Sequence, residues 1–226
     1  MKFKYDLHCH TSPVSYCAAD GVKDIIKAYI SKGYNGVVIT NHINTQTFMR
    51  QPTSRWKDLM KYYLSDYYNA LKYAKGKLTV FLGTEISFRE NHNDYLLYGV
   101  TEDFLMSNEH LMHLNIRDFS QLAHENGVLL FQAHPFRNNM TITRPELLDG
   151  IEVYNGHPRH NSRNDFAALW RDRYDLLYSA GSDTHSVDDI GSGILTDVEL
   201  KDNNDLVEIL KTGNFEIIRR SRQGDI

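Results

Sequence analysis

The chain has 226 residues, 41% of them hydrophobic and 24% charged, the range of a globular protein long enough to bury a substantial core. Its formal charge of −4 argues against broad electrostatic capture of a nucleic-acid backbone, so no extensive duplex-binding surface is expected. The apolar runs are too short to span a bilayer and the 2 cysteines cannot staple a fold, which predicts a cytoplasmic protein with no membrane association.

In chain order, β-type runs fall at residues 3–7, 36–40, 79–83, 95–100, 128–133, 150–154, 176–180 and 215–218. Amphipathic helical patterns occupy 22–32, 56–74, 116–126, 163–173 and 204–211. Gly33, Gly127 and Gly213 close three of these helices where a left-handed residue is wanted. No linker or internal repeat interrupts the alternation. It predicts an α/β chain with one (β/α) barrel, whose strand ends meet at a common mouth where active sites are built.

Eleven histidines are the unusual number, and several stand at strand ends. In Asp6-Leu7-His8-Cys9-His10, two histidines separated by one residue project to the same strand face and can grip one metal ion, with Cys9 turned away. The second strand delivers Asn41-His42. The third delivers Gly83-Thr84-Glu85, whose carboxylate can bridge two ions. The fifth ends in His134-Pro135, and the seventh in Gly181-Ser182-Asp183-Thr184-His185, where Asp183 and His185 again alternate onto one face. Imidazoles mixed with carboxylates suit zinc, manganese or iron. More than four ligands imply two or three divalent ions.

The ordered set His8-x-His10, Asn41-His42, Gly83-x-Glu85, His134-Pro135 and Gly181-Ser182-Asp183-x-His185 resembles the PHP (polymerase and histidinol phosphatase) family over nearly the whole chain. The resemblance implies a single PHP-type domain over 1–226, a distorted (β/α)7 TIM-like barrel, and hydrolysis of a phosphate ester at a di- or trinuclear site. It places the first ion on His8, His10, Glu85 and Asp183. A second ion would use Glu85, His134 and a ligand from the fourth strand; counting back from Gly99 favours Asp94 over His92. A third would use His42, His185 and a residue of the stretched first loop, with Asp20 as ligand or helix N-cap and Cys17 as a softer alternative.

The expected nucleophile is a metal-bound hydroxide attacking a small phosphorylated metabolite or nucleotide. Asp6 is expected to orient the His8 or His10 ring, Arg137 and Asn155 to contact substrate, and His157 or His160 to protonate the leaving group. His110, His113 and His124 receive no chemistry. The basic run at 219–222 reads as a solvated tail and the tyrosine-rich stretch at 56–73 as packing. Three rivals remain: a histidinol-phosphate phosphatase, an amidohydrolase-type metal hydrolase, and a catalytically silent metal-binding module.

Overall fold

The computed structural model describes residues 1–109 and 111–220, so His110, Ser221 and Arg222 lie outside the described residues. The backbone runs β1 (Phe3–Cys9), α1 (Val22–Ser31), β2 (Gly36–Ile39), β3 (His42–Ile43), α2 (Thr45–Phe48), α3 (Trp56–Ala74), β4 (Thr79–Leu82) and β5 (Thr84–Ser87). It continues through β6 (Asp94–Tyr98), α4 (Glu102–Ser107), α5 (Ile116–Glu125), β7 (Leu129–Gln132), β8 (Gly150–Asn155), α6 (Asn164–Tyr174), β9 (Leu177–Gly181), β10 (Gly193–Thr196), α7 (Asn203–Thr212) and β11 (Phe215–Ile218).

The strands form two mixed sheets, ordered β11-β10-β1-β2-β4 and β3-β5-β6-β7-β8-β9, where the alternation predicts one distorted (β/α) barrel. Two breaks create the division. Thr40-Asn41 interrupts one path between β2 and β3, and Gly83 interrupts another between β4 and β5. Beyond each break the chain swings into the second sheet, where His42 pairs with Glu85 in parallel register. A Cβ on Gly83 would lie 2.6 Å from Val38 Cγ1, so only glycine lets that turn close. On the opposite side the sheets meet where Thr184 bridges β1, donating its N–H to the His8 carbonyl (3.2 Å) and accepting from His10 N (2.8 Å).

Apolar packing holds this arrangement from inside and outside. Tyr5, Leu7, Val38, Phe81, Leu96, Phe131, Ala180 and Ile194, drawn from strands of both sheets, form one buried cluster. On the outer side Ile25, Ile26 and Tyr29 of α1 cover Val37, Ile39 and Val80, while Leu59, Met60, Tyr63 and Leu64 of α3 cover Ile43 and Ile86. Each such aliphatic side chain contributes roughly 1.5–3 kcal/mol through burial. Left-handed glycines end three helices as anticipated, at Gly33 (φ 71°), Gly127 (φ 68°) and Gly213 (φ 66°).

Three strands and two helices escaped the sequence reading: β3, β5, β10, α2 and α4. The strands have at most four residues each, too few for periodicity to register. Strand β1 also departs from simple alternation. Its pairing with β2 runs Asp6↔Val37 and then Cys9↔Ile39, so an extra residue is accommodated between them. This bulge puts Leu7 and His8 on the interior side in succession and leaves Asp6 facing the helices.

Candidate metal centre

The bulge, the two strand breaks and the β9 turn deliver ligand-type side chains to one place. His8, His10, Glu85, Asp183 and His134 are all 0–3% exposed. Three of their atoms form a small triangle: His8 Nε2 to His10 Nε2 is 3.0 Å, His8 Nε2 to Glu85 Oε2 is 3.4 Å and His10 Nε2 to Glu85 Oε2 is 3.2 Å. Asp183 Oδ1 lies 3.5 and 3.4 Å from the same two nitrogens. Ligands about 2.0–2.1 Å from a tetrahedral ion are separated by roughly 3.3 Å, so the triangle has the dimensions of one coordination face.

The other oxygen of Glu85 turns toward a second group. His134 Nε2 stands 3.3 Å from Glu85 Oε1 and 4.0 Å from Asp94 Oδ2, and these three residues could together hold a cation. Asp94 therefore occupies the place expected on the fourth strand, while His92 is exposed and joins no such group among the described residues. A third group consists of His10, His42 and His185, with the rings of His42 and His185 centred 4.4 and 4.6 Å from that of His10.

The donor set fits divalent ions on a further observation. Glu85 Oε1, His42 Nδ1 and His134 Nδ1 are buried without a hydrogen-bond partner. His42 Nδ1 comes within 3.1 Å of Glu85 Oε2 yet makes no hydrogen bond to it. Buried polar atoms without partners are costly, and a shared cation would satisfy Glu85 Oε1. The local backbone is also constrained: His134 (φ 29°) and Asp183 (φ 54°) adopt positive φ, which non-glycine residues rarely do and which clusters at functional sites.

Electrostatics follow from packing these charges together. Burial pushes the Glu85 carboxyl upward, but His8, His42, His10 and His134 more than offset it and hold it well below its ordinary range. Asp183 is likewise held low against its burial by His8, His10 and Arg137. Burial and then the Glu85 charge raise Asp94 to about 6. Desolvation, with His10 nearby, lowers His42 to about 3 and His185 to about 4.

Several expectations are corrected by these contacts. Asp6 does not reach either imidazole, because the bulge turns it away; it accepts from the backbone N–H groups of His8 (3.2 Å) and Ser182 (2.9 Å) and from Tyr29 OH (2.9 Å). The His8 ring is met by Glu152 instead, a residue the sequence reading passed over inside an apolar-looking strand. Asp20 belongs neither to a group that could hold a cation nor to the N-cap position. Gly21 occupies the cap position, and the Asp20 carboxylate accepts from Val187 N (2.8 Å). Cys17 is exposed and also outside those groups.

Asn155 is buried and committed internally. It donates to Glu152 Oε2 (2.9 Å) and Asp183 Oδ2 (3.1 Å), and it accepts from Arg137 Nη2 (2.9 Å) and His157 N (3.1 Å). Substrate contact by Asn155 is therefore not supported. Arg137 donates from Nη2 to Asp183 Oδ2 at 2.7 Å, and its buried Nε has no partner. His157, lowered to about 3 by burial, is neutral near physiological pH and has both ring nitrogens facing N–H groups of Arg159, a poor arrangement for a proton donor. His160 is exposed and rests its ring 4.6 Å from that of His157. Asp189, also missed, is buried; it accepts from His185 N (3.0 Å) and pairs with both Nη atoms of Arg159.

The sequence profile of the PHP domain matches residues 6–189, which include every one of these strand-end side chains. The chain belongs to the PHP family. No curated protein matches the chain. Among solved structures, this PHP chain is similar to a two-domain protein containing a predicted PHP-like metal-dependent phosphoesterase from Bacteroides vulgatus, at 16% identity and a TM-score of 0.72. The match covers 97% of this chain and 65% of that one, so the chain spans about two thirds of its length. The lesion-specific endonuclease PfuEndoQ from Pyrococcus furiosus is similar at 15% identity and a TM-score of 0.67, over 96% of this chain and 58% of that one. An amidohydrolase from Chromobacterium violaceum, solved with bound sulfate and no metal, is similar at 14% identity and a TM-score of 0.57, over 96% and 98%. At these identities the likeness is one of fold. No helix among the described residues is long and apolar enough to cross a membrane.

Proposed function

We propose that this PHP protein hydrolyses a phosphate ester of a small metabolite or nucleotide, at a di- or trinuclear centre built at the mouth of a distorted barrel whose halves are the two sheets. The observation that carries the reading is the buried triangle of His8 Nε2, His10 Nε2 and Glu85 Oε2, with Asp183 on two of its corners and Arg137 bound to Asp183. His8, His10, Glu85 and Asp183 would hold the first ion; Glu85, His134 and Asp94 the second; His10, His42 and His185 line the place for a third. Zinc, manganese or iron bound there would supply Lewis acidity at phosphorus and an activated water.

The chain's own residues set what reaches that centre. The ligand atoms sit at almost no exposure, which favours a slim terminal phosphate over the flank of a duplex. Arg137 is held by Asp183 and Asn155 at Nη2, and its side chain stays 15% exposed beside the centre, a planar donor group suited to a phosphate oxygen. Arg159 is fixed by Asp189 at the same rim and adds positive charge outside it.

The test joins metal analysis of chelator-free protein to hydrolysis assays with aryl phosphate monoesters, diesters and amides, and with a duplex bearing an abasic site. Phosphate-ester turnover that scales with bound metal is expected. Cleavage of amides without phosphate esters would replace the reading with an amidohydrolase, and incision of the duplex alone would replace it with a nuclease. Bound metal with no turnover of any substrate would leave the silent module.

A further inference from the structure

Glu152 on β8 is buried, 1% exposed, and no step of the hydrolytic reading uses it. Its carboxylate is engaged from three directions. Oε1 faces His8 Nδ1 at 2.9 Å, while Oε2 accepts from the His134 backbone N–H at 3.0 Å and from Asn155 Nδ2 at 2.9 Å. These partners belong to three separate segments of the centre: β1, the turn after β7, and the end of β8, where Asn155 also donates to Asp183.

Each contact has a consequence for a neighbouring ligand. A carboxylate oxygen offers an acceptor, so the His8 hydrogen belongs on Nδ1, and the Nε2 lone pair is left pointing at His10 and Glu85. The His134 backbone sits at φ 29°, a conformation that persists only where its surroundings hold it, and the N–H bond to Glu152 is such a hold. Through Asn155 the same carboxylate also reaches Asp183, whose φ is 54°.

We propose that Glu152 is a positioning residue that prepares two cation sites at once, fixing the tautomer and ring plane of His8 for one and the strained backbone of His134 for the other. This rests on the reading of His8 and His134 as metal ligands. The role predicts a specific difference between two substitutions. In Glu152→Gln the amide oxygen can still accept from His134 and Asn155, but the amide nitrogen then faces His8 and disfavours a hydrogen on Nδ1. In Glu152→Ala both holds are lost.

Zinc affinity of the full chain, measured by chelator competition, distinguishes the outcomes. Glu152→Gln should weaken one zinc site by about 10- to 100-fold and spare the other, and Glu152→Ala should weaken both. Unchanged affinities, or an equal fall at all sites in Glu152→Gln with a lowered Tm, would overturn the proposal. Should the variants fail to fold, the wild-type protein decides. In its zinc-loaded form, long-range 1H–15N spectra should show His8 protonated on Nδ1, with that hydrogen protected from solvent. Zinc on Nδ1 would overturn the role of Glu152 alone. A wild-type chain that takes up no zinc, manganese or iron would overturn the ligand reading with it.

Discussion

The floor of the centre and its rim are built differently. His8, His10, Glu85 and Asp183 issue from strand ends or the turns directly after them, are sealed from solvent, and fall within a few ångströms of one another. The rim comes from loops: the stretch from Thr11 to Asp20, and the residues following β8 that carry His157, Arg159 and His160. Its side chains mostly bind the protein itself, as Asp20 does at Val187 and Arg159 at Asp189. A sheet fixes direction as well as position, whereas a loop leaves direction to local hydrogen bonds. The contrast predicts that damage to the floor removes metal, while damage to the rim changes substrate binding or nothing.

The largest effect is expected for Glu85→Gln. One carboxylate lies within 3.1–3.4 Å of ring nitrogens on His8, His10, His42 and His134, so removing its charge weakens every group it joins. Metal content should fall by at least one equivalent and turnover by about 10³-fold or more, beyond the loss of a single transition-state donor. Elemental analysis and steady-state rates check this. Retention of full metal and activity would end the distinction between floor and rim.

Gly181→Ala attacks the floor from behind. A Cβ there would lie 2.3 Å from His8 Cβ and 2.7 Å from His8 N, so β1 and β9 must part or His8 must move. Overpacking of this kind destabilises by about 1–3 kcal/mol, and metal affinity should drop with it. Denaturant melts with and without metal measure the two effects. A stable variant that binds metal normally would show that His8 is not held by this close approach.

How much of this could be read from the letters follows the same division. His8, His10, Glu85, His134 and Asp183 were legible because apolar runs announce strands and a polar residue at the end of each is conspicuous. Asp94 required counting from Gly99, since the strand start gives no signal of its own. Glu152 was not legible: Gly150-Ile151-Glu152-Val153-Tyr154 looks like a strand with one solvent-facing acid, and only the partners His8 and His134, far off in sequence, show that it points inward. Asp6 was misread because a bulge reverses the face without altering the composition. Alternation points to one distorted barrel without showing where its ladder parts, and the breaks at Thr40-Asn41 and Gly83 divide the ladders into two sheets.

Arg137→Met tests where floor and rim join. The guanidinium is paired with Asp183 but its side chain is 15% exposed beside the centre, so as a phosphate contact its loss should cost substrate binding more than metal. A hydrogen bond to a charged group contributes about 1.5–3 kcal/mol, which corresponds to a KM increase of roughly 10- to 100-fold. Steady-state kinetics with a phosphate monoester, alongside metal analysis, separate the alternatives. A fall in metal content at unchanged KM would assign Arg137 to the support of Asp183.

The smallest effect should come from Asp20→Asn, although the resemblance to other PHP sequences places a third-ion ligand in this loop. The carboxylate is spent on the Val187 N–H at 2.8 Å, and an asparagine oxygen can accept the same bond. Stability should change by no more than about 0.5 kcal/mol, as for substitutions that keep their contacts. Metal content should stay constant. Loss of about one equivalent on this substitution would mean that the first loop refolds around a cation, carrying Asp20 away from Val187 toward His42 and His185, and the rim would then have to be counted as part of the centre.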